Sequence, residues 1–430
     1  MASESETATI AGAISRFRRW FWRPPRAHGE IIEDRTVGFL ELFYDLVYVV
    51  VVAQAAHHLA EHVTGRGVVE FAVVFGLIWI AWFNGTLYVD RHGREDGRTR
   101  SFVFAQMAIL VLLAVFTGGA AGETGSEFAL VYVTFMLVLA WMWFSVRRQD
   151  DVRFSAITTR YLTGMVVTTI AIAVSAFVSE DLRLLIWAAV VLGWVGGALL
   201  LGILDQDGRA ALNFEATPTD SLVERFGLFT IIVLGEVVVG VVNGMGEVTL
   251  DLITMATGLF ALVVGFGLWW VFFDFVGRRL PRGDAGSFTR WMMSHLPVTL
   301  AIAAAGAAMV SLIHHAHDAA TPSATAWLLA GSVAVALLSL EVTVRTLVAY
   351  ERLASVYRPI SVAMLVGAVA ALTLGWLQPT PWLLAFLLSL ILALVWLVAV
   401  DRWLRVRDAV VAGARSAEAV PTQQPERSDG

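Results

Sequence analysis

The stretch GFLELFYDLVYVVVVAQAA, Gly38 to Ala56, is apolar enough to cross a bilayer, yet it carries two acids, Glu41 and Asp45, four residues apart. On a helix of 3.6 residues per turn that spacing stacks both carboxylates on one face. Similar apolar runs recur along the whole chain. Hydrophobic residues make up 58% of the 430, charged residues only 15%, and the mean hydropathy is +0.72. Many windows exceed the roughly 18 mainly apolar residues that mark a spanning helix. The expected fold is therefore all-α, a polytopic membrane protein of about 12 transmembrane helices.

The periodic runs place those helices near 37–60, 68–89, 101–118, 127–146, 160–179, 183–204, 222–243, 249–276, 294–313, 326–349, 359–377 and 381–400. Arginine placement checks the count, because basic residues collect in cytoplasmic loops. Alternate connections carry Arg91, Arg94, Arg98 and Arg100, then Arg147, Arg148 and Arg153, then Arg209, then Arg278, Arg279, Arg282 and Arg290, then Arg352. The intervening connections hold only Arg66 and Arg183. This alternation puts both termini in the cytoplasm. All 30 basic residues are arginine, and the formal net charge of −6 says little about partners. No nucleic-acid partner is expected. There is no cysteine, hence no disulfide or thiolate metal site.

The division expected along the chain is a basic and aromatic N-terminal segment (1–36), a first six-helix repeat (37–204), a cytoplasmic linker (205–221), a second repeat (222–404) and a disordered tail (405–430). Residues 1–35 lack a clean apolar core followed by a small-residue cleavage site, so no cleavable signal peptide is expected. The segment Ala13 to Arg26 mixes Arg16, Arg18, Arg19, Arg23 and Arg26 with Phe17, Trp20, Phe21 and Trp22. That mixture suits either an interfacial segment on anionic headgroups or a basic tail that helps set topology.

The repeat is carried by matches that keep their order. LELFYDLVYVV from Leu40 matches VERFGLFTIIV from Val223, aligning Glu41 with Glu224. WIAWFNGTLYVDR from Trp79 lies over WWVFFDFVGRR from Trp269, aligning Asn84 with Asp274. Gln106 falls near His295, and Arg160 on Arg358. Two halves of six spans share one orientation, which makes this a parallel repeat about an axis along the membrane normal.

RTVGFLELFYDLVYVVVVAQ (Arg35 to Gln54) and ERFGLFTIIVLGE (Glu224 to Glu236) resemble the bacterial low temperature requirement protein A (LtrA) family. The resemblance covers about residues 30 to 405, and it implies a multispanning inner-membrane protein linked to growth in the cold. FYDLVYVVVV is also similar to the FSD-type motif that opens each repeat of the endolysosomal potassium channel family. Asp45 would take the aspartate place, but the second half has Leu228 there, and Tyr44 and Gly227 stand at the serine place. Those substitutions argue against copying that pore mechanism.

A charge at the bilayer centre costs about 2.5–3.5 kcal/mol on insertion scales, so intramembrane charges mark paths or pairs. The candidates are Glu41, Asp45, Glu224, Arg225, Glu236, Asp274, Glu341 and Arg345. Glu341 and Arg345, four apart, read as a mutually neutralising pair. Arg160 or Arg358 could reach Glu41 or Glu224 and clamp the repeats. Asp45 and Glu236 have no opposite charge within a turn of their own helices, which makes them the functional candidates. Asn84, Gln106, His295 and Asp274 would complete a hydrophilic path with them, beside Gln54 and Asn243. Gly193, Gly196, Gly197, Gly235 and Gly240 are expected to let helices approach closely.

HHLAEH and HHAHD put six of nine histidines at one end of the bundle, and His58, Glu61 and His62 have the spacing of a weak metal candidate. The other reading of these histidines is a solvated rim. No metal, cofactor or catalytic residue is otherwise expected, since no G-x-S-x-G, H-E-x-x-H, P-loop or C-x-x-C is present and no soluble domain could hold a cofactor. The residues thus point to a transporter or channel for a small solute or cation through an acid-lined path between two repeats. The alternative is a structural or sensory membrane protein for cold adaptation.

Overall fold

The computed structural model describes residues 12, 15–17, 21, 23–27, 30, 35–94, 96–204 and 218–418. Twelve long helices carry most of them: α1 (Phe39–Glu61), α2 (Gly65–His92), α3 (Gly97–Thr117), α4 (Gly125–Arg147), α5 (Val152–Ser175), α6 (Glu180–Leu204), α7 (Asp220–Gly246), α8 (Leu252–Phe275), α9 (Ala285–His314), α10 (Ser323–Arg345), α11 (Ala354–Leu377) and α12 (Pro381–Glu418). A short helical turn, Val348–Arg352, joins α10 to α11. Eleven of the twelve are long and apolar enough to cross a membrane. α5 falls outside that class, because Thr158, Thr159, Arg160, Tyr161, Thr163 and Gly164 dilute its first half. The protein is an all-helical, multi-pass membrane protein.

Apolar runs locate the spans, but caps set where the helices begin. α9 starts at Ala285 rather than 294, because the Asp284 carboxylate accepts from the Ser287 N–H at 2.8 Å and nucleates a polar first turn. Asp96, Thr219 and Asp251 cap α3, α7 and α8 in the same way. α5 likewise begins eight residues before its apolar run, at Val152. α12 continues as helix to Glu418, where a disordered tail was expected. Most of the expected linker, 205–217, and the last residues, 419–430, lie outside the described residues.

The two halves use one neighbour order. In the first, α1 packs on α2 and α3, and the ring closes through α4, α5, α6 and back to α2. In the second, α7 packs on α8 and α9, and the ring closes through α10, α11, α12 and back to α8. α7 meets α1 and α2 across the seam, and α9 meets α1, α2 and α6. α9 is the central helix, with 83% of its apolar window buried, whereas α6 is peripheral with 6%.

Glycine permits a close crossing of α7 and α9. A Cβ on Gly240 would stand 2.6 Å from the Gly306 carbonyl oxygen, and one on Gly306 would stand 3.1 Å from that of Glu236, so α7 and α9 touch backbone to backbone. The other glycines expected to do this do not. Around Gly193, Gly196, Gly197 and Gly235 an added Cβ would meet nothing within 4 Å.

The N-terminal segment is docked on the turn after α2. Arg26 is 3% exposed and donates from Nε to the Gly93 carbonyl at 2.8 Å and from Nη2 to the Asp90 carbonyl at 2.5 Å. Burial holds its pKa below the ordinary arginine value. Phe21 packs so tightly over Gly97 that a Cβ there would come within 2.3 Å of its ring. Arg18, Arg19, Trp20 and Trp22 lie outside the described residues.

Candidate functional site

Asp45 has its partner on the other half of the molecule. The Arg225 guanidinium donates from Nη2 to Asp45 Oδ1 at 2.5 Å and from Nε to Oδ2 at 3.2 Å, and both residues are fully buried. Trp82 Nε1 adds a donor to Oδ1 at 2.9 Å. A bidentate arginine with a third donor is the arrangement that compensates a carboxylate taken out of water. Arg225 Nη1 also faces Glu41 Oε2 at 3.8 Å, and neither atom has a hydrogen bond. Glu41 Oε1 accepts from Arg35 Nη2 at 2.5 Å, and Arg35 Nη1 donates to Asp90 Oδ1 at 3.1 Å. Thr219 and Ser221, at the start of α7, donate to the same Asp90 oxygen at 2.9 and 2.6 Å.

The result is an alternating chain, Asp45, Arg225, Glu41, Arg35, Asp90, that ties α1, the end of α2 and the start of α7 together at one end of the bundle. Below it an aromatic layer seals the seam. Phe229 stacks on Trp82 with centroids 4.1 Å apart, and Phe226 sits among Trp82, Trp291 and His295 at 4.8–5.1 Å. Neither Arg160 nor Arg358 reaches Glu41 or Glu224. Both arginines are exposed on their own helices, and Arg225 and Arg35 hold Glu41 instead.

Glu236 is in the opposite condition. It is 7% exposed, and it has no hydrogen-bond or ion-pair partner among the described residues. Eleven residues separate it from Arg225, three turns along α7, so both lie on nearly one meridian about 16 Å apart. On that meridian Arg225 meets α1 and Phe229 meets α2.

The remaining candidates do not join these acids in one path. Glu224 is exposed. Asp274 is exposed too, and accepts from Trp396 Nε1 at 2.7 Å. Asn84 is buried, donates to the Ile80 carbonyl at 2.8 Å and receives the Tyr161 hydroxyl. Gln106 is buried against Met142 Sδ at 3.6 Å, between α3 and α4. His295 hydrogen-bonds through Nδ1 to the Trp291 carbonyl at 2.7 Å. Gln54 and Asn243 are exposed. Glu341 and Arg345 form their ion pair within α10.

The histidines divide into two groups. His58, Glu61 and His62 bring one potential ligand atom each within 4.8 Å of the others at the exposed end of α1. His314 and His317 instead face Glu247 and Asp251 at 2.9 and 3.0 Å, across the turn between α7 and α8.

Residues 36–400 match the family described as Bacterial low temperature requirement A protein (LtrA). The chain belongs to the LtrA family. A relative of this LtrA-family chain, named Uncharacterized protein RA0937, from Rhizobium meliloti (strain 1021), is 25% identical over 254 residues, which cover 57% of this chain and 60% of that protein. No solved structure matches.

The LtrA-family chain also has a laterally open cavity of about 620 Å³ between α2, α5 and α6 of the first half and α9 of the second. Its walls are aromatic and aliphatic, with Trp79, Phe83, Tyr161 and Trp194 prominent. Trp194 Nε1 donates to Thr168 Oγ1 at 2.8 Å, and the Tyr161 hydroxyl is spent on Asn84. Three of its lining residues, Gly164, Gly193 and Gly197, face open space, so glycine here makes room rather than contact.

Proposed function

We propose that this LtrA-family protein lies in the cytoplasmic membrane with both termini inside the cell, and moves a small solute or cation between its two six-helix halves. In this reading Glu236 is the carboxylate that takes and releases a cation. The chain from Asp45 to Asp90 is the clamp that holds the halves together at the inner end. Glu236 carries the reading, because a carboxylate 7% exposed in a spanning helix with no partner among the described residues is expensive to keep unless it is used. The shared neighbour order of the halves supports a parallel repeat, an architecture found in transporters. The arginine-rich connections support the orientation. No enzymatic step is proposed.

The acid-lined path is thereby narrowed to one acid. Asp45 already has three donors, so it is a fixed element rather than a binding site for a passing ion. That saturation favours the second reading, a structural or sensory protein for cold adaptation in which charges only fix helix register. Proteoliposomes separate the two. Potassium and proton flux under an imposed gradient is expected from the wild type and not from Glu236→Gln at matched folded content. A wild type without either flux would leave the structural reading standing.

A further inference from the structure

The cavity between α2, α5, α6 and α9 has features that a solute path between the halves does not explain. It runs along α6 from Ile186 to Gly202, about 24 Å at 1.5 Å per residue, further than one leaflet of a hydrocarbon core is thick. It opens sideways: Val167 in its wall is 60% exposed, and Gly193 has no atom opposite it within 4 Å. α6, which contributes more of the wall than any other helix, is covered over only 6% of its apolar window. A lateral, elongated, apolar opening of this kind meets acyl chains rather than water.

Charge at one end decides which lipid fits. Ala285, the first residue of α9, and Gly202, near the end of α6, bring the cavity to the membrane surface there. Arg160 lines that end, is exposed, and makes no ion pair or hydrogen bond among the described residues. Arg290, next to the lining residue Thr289, is already engaged: its Nε donates to the Gly286 carbonyl at 3.0 Å, its Nη2 to the Ser287 hydroxyl at 3.5 Å, and Asp284 lies nearby, which leaves Arg160 as the free guanidinium at this end. Asp150 near the start of α5 is taken by the Thr158 hydroxyl. A guanidinium with no counter-charge among the described residues, at the rim of an apolar slot, matches a phosphate joined to a hydrocarbon chain.

We propose that this cavity holds one acyl chain of an anionic phospholipid from the surrounding bilayer, with the lipid phosphate at Arg160. The site does not depend on transport, and binding tests it separately from flux.

The test is native mass spectrometry of the purified full-length protein titrated with phosphatidylglycerol or with phosphatidylcholine of the same chains. The wild type is expected to prefer phosphatidylglycerol by about five-fold or more, the worth of one arginine at an anionic surface. Arg160→Gln should abolish the preference while leaving chain binding. Gly193→Leu with Gly197→Leu should fill the slot and lower binding of both lipids. Space around both glycines makes a folded product expected, and a melting curve checks it. Equal binding of the two lipids by the wild type would overturn the assignment, as would unchanged binding after the slot is filled. A wild-type dimer that the filled variant converts to monomer would also overturn it, by placing a second copy on this face.

Discussion

Asp45 and Glu236 are both carboxylates buried in spanning helices, one in each half, and they are held in opposite ways. Asp45 receives two bonds from Arg225 and one from Trp82, while Glu236, three turns along α7 from that arginine, receives none from the described residues. The difference teaches that depth alone does not mark a functional acid. A buried charge with its full set of donors fixes register, whereas one without donors is the acid to which we assign cation exchange.

The largest effect should come from breaking the paired region. Arg225→Leu leaves Asp45 and Glu41 without their shared cation, and should cost about 3–5 kcal/mol in thermal unfolding in detergent. A loss below about 1 kcal/mol would mean that the pair is no clamp. Trp82→Phe keeps one aromatic ring but removes the pyrrole N–H that is the third donor to Asp45. A hydrogen bond to a charged group predicts a loss of about 1.5–3 kcal/mol, on the same melting measurement.

A carboxylate outside the membrane gives a smaller reference effect. At Asp284, burial pushes the pKa up, but the Ser287 N–H and hydroxyl and the nearby Arg282 outweigh it and hold it below the ordinary 3.8. The sign follows: the ionised cap stabilises above the unfolded value, and its contribution fades as pH falls through the lower folded one. Asp284→Ala should cost about 1 kcal/mol near neutrality, and its difference from wild type should shrink below pH 3.8. Glu236→Gln should change stability least, by no more than about 0.5 kcal/mol and toward higher melting temperature, because it removes a charge that no described residue compensates.

The helices were legible because apolar runs and arginine alternation are local signals. The start of α9 was not, since a helix capped by Asp284 can begin in polar residues that a hydropathy window rejects. Asp45 and Arg225 were each visible as charges at depth, but 180 residues separate them, and nothing in either motif says that one helix faces the other. Arg35 and Asp90 stand at helix ends with no sequence signal of their own, and only folding brings them to Glu41 and to Ser221. The second half's Glu224, aligned with Glu41 in the sequence, is exposed, because it is its neighbour Arg225 that faces α1. Glycine misled in the same way, since Gly240 serves a contact and Gly193 a cavity with no difference in sequence type.

The most direct measurement is potassium and proton flux into proteoliposomes carrying equal amounts of folded wild type, Glu236→Gln or Asp45→Asn. The account predicts flux in the wild type and none with Glu236→Gln at undiminished melting temperature. With Asp45→Asn it predicts flux in proportion to the protein that remains folded. Full flux through Glu236→Gln, or loss of flux in Asp45→Asn with no loss of stability, would contradict it.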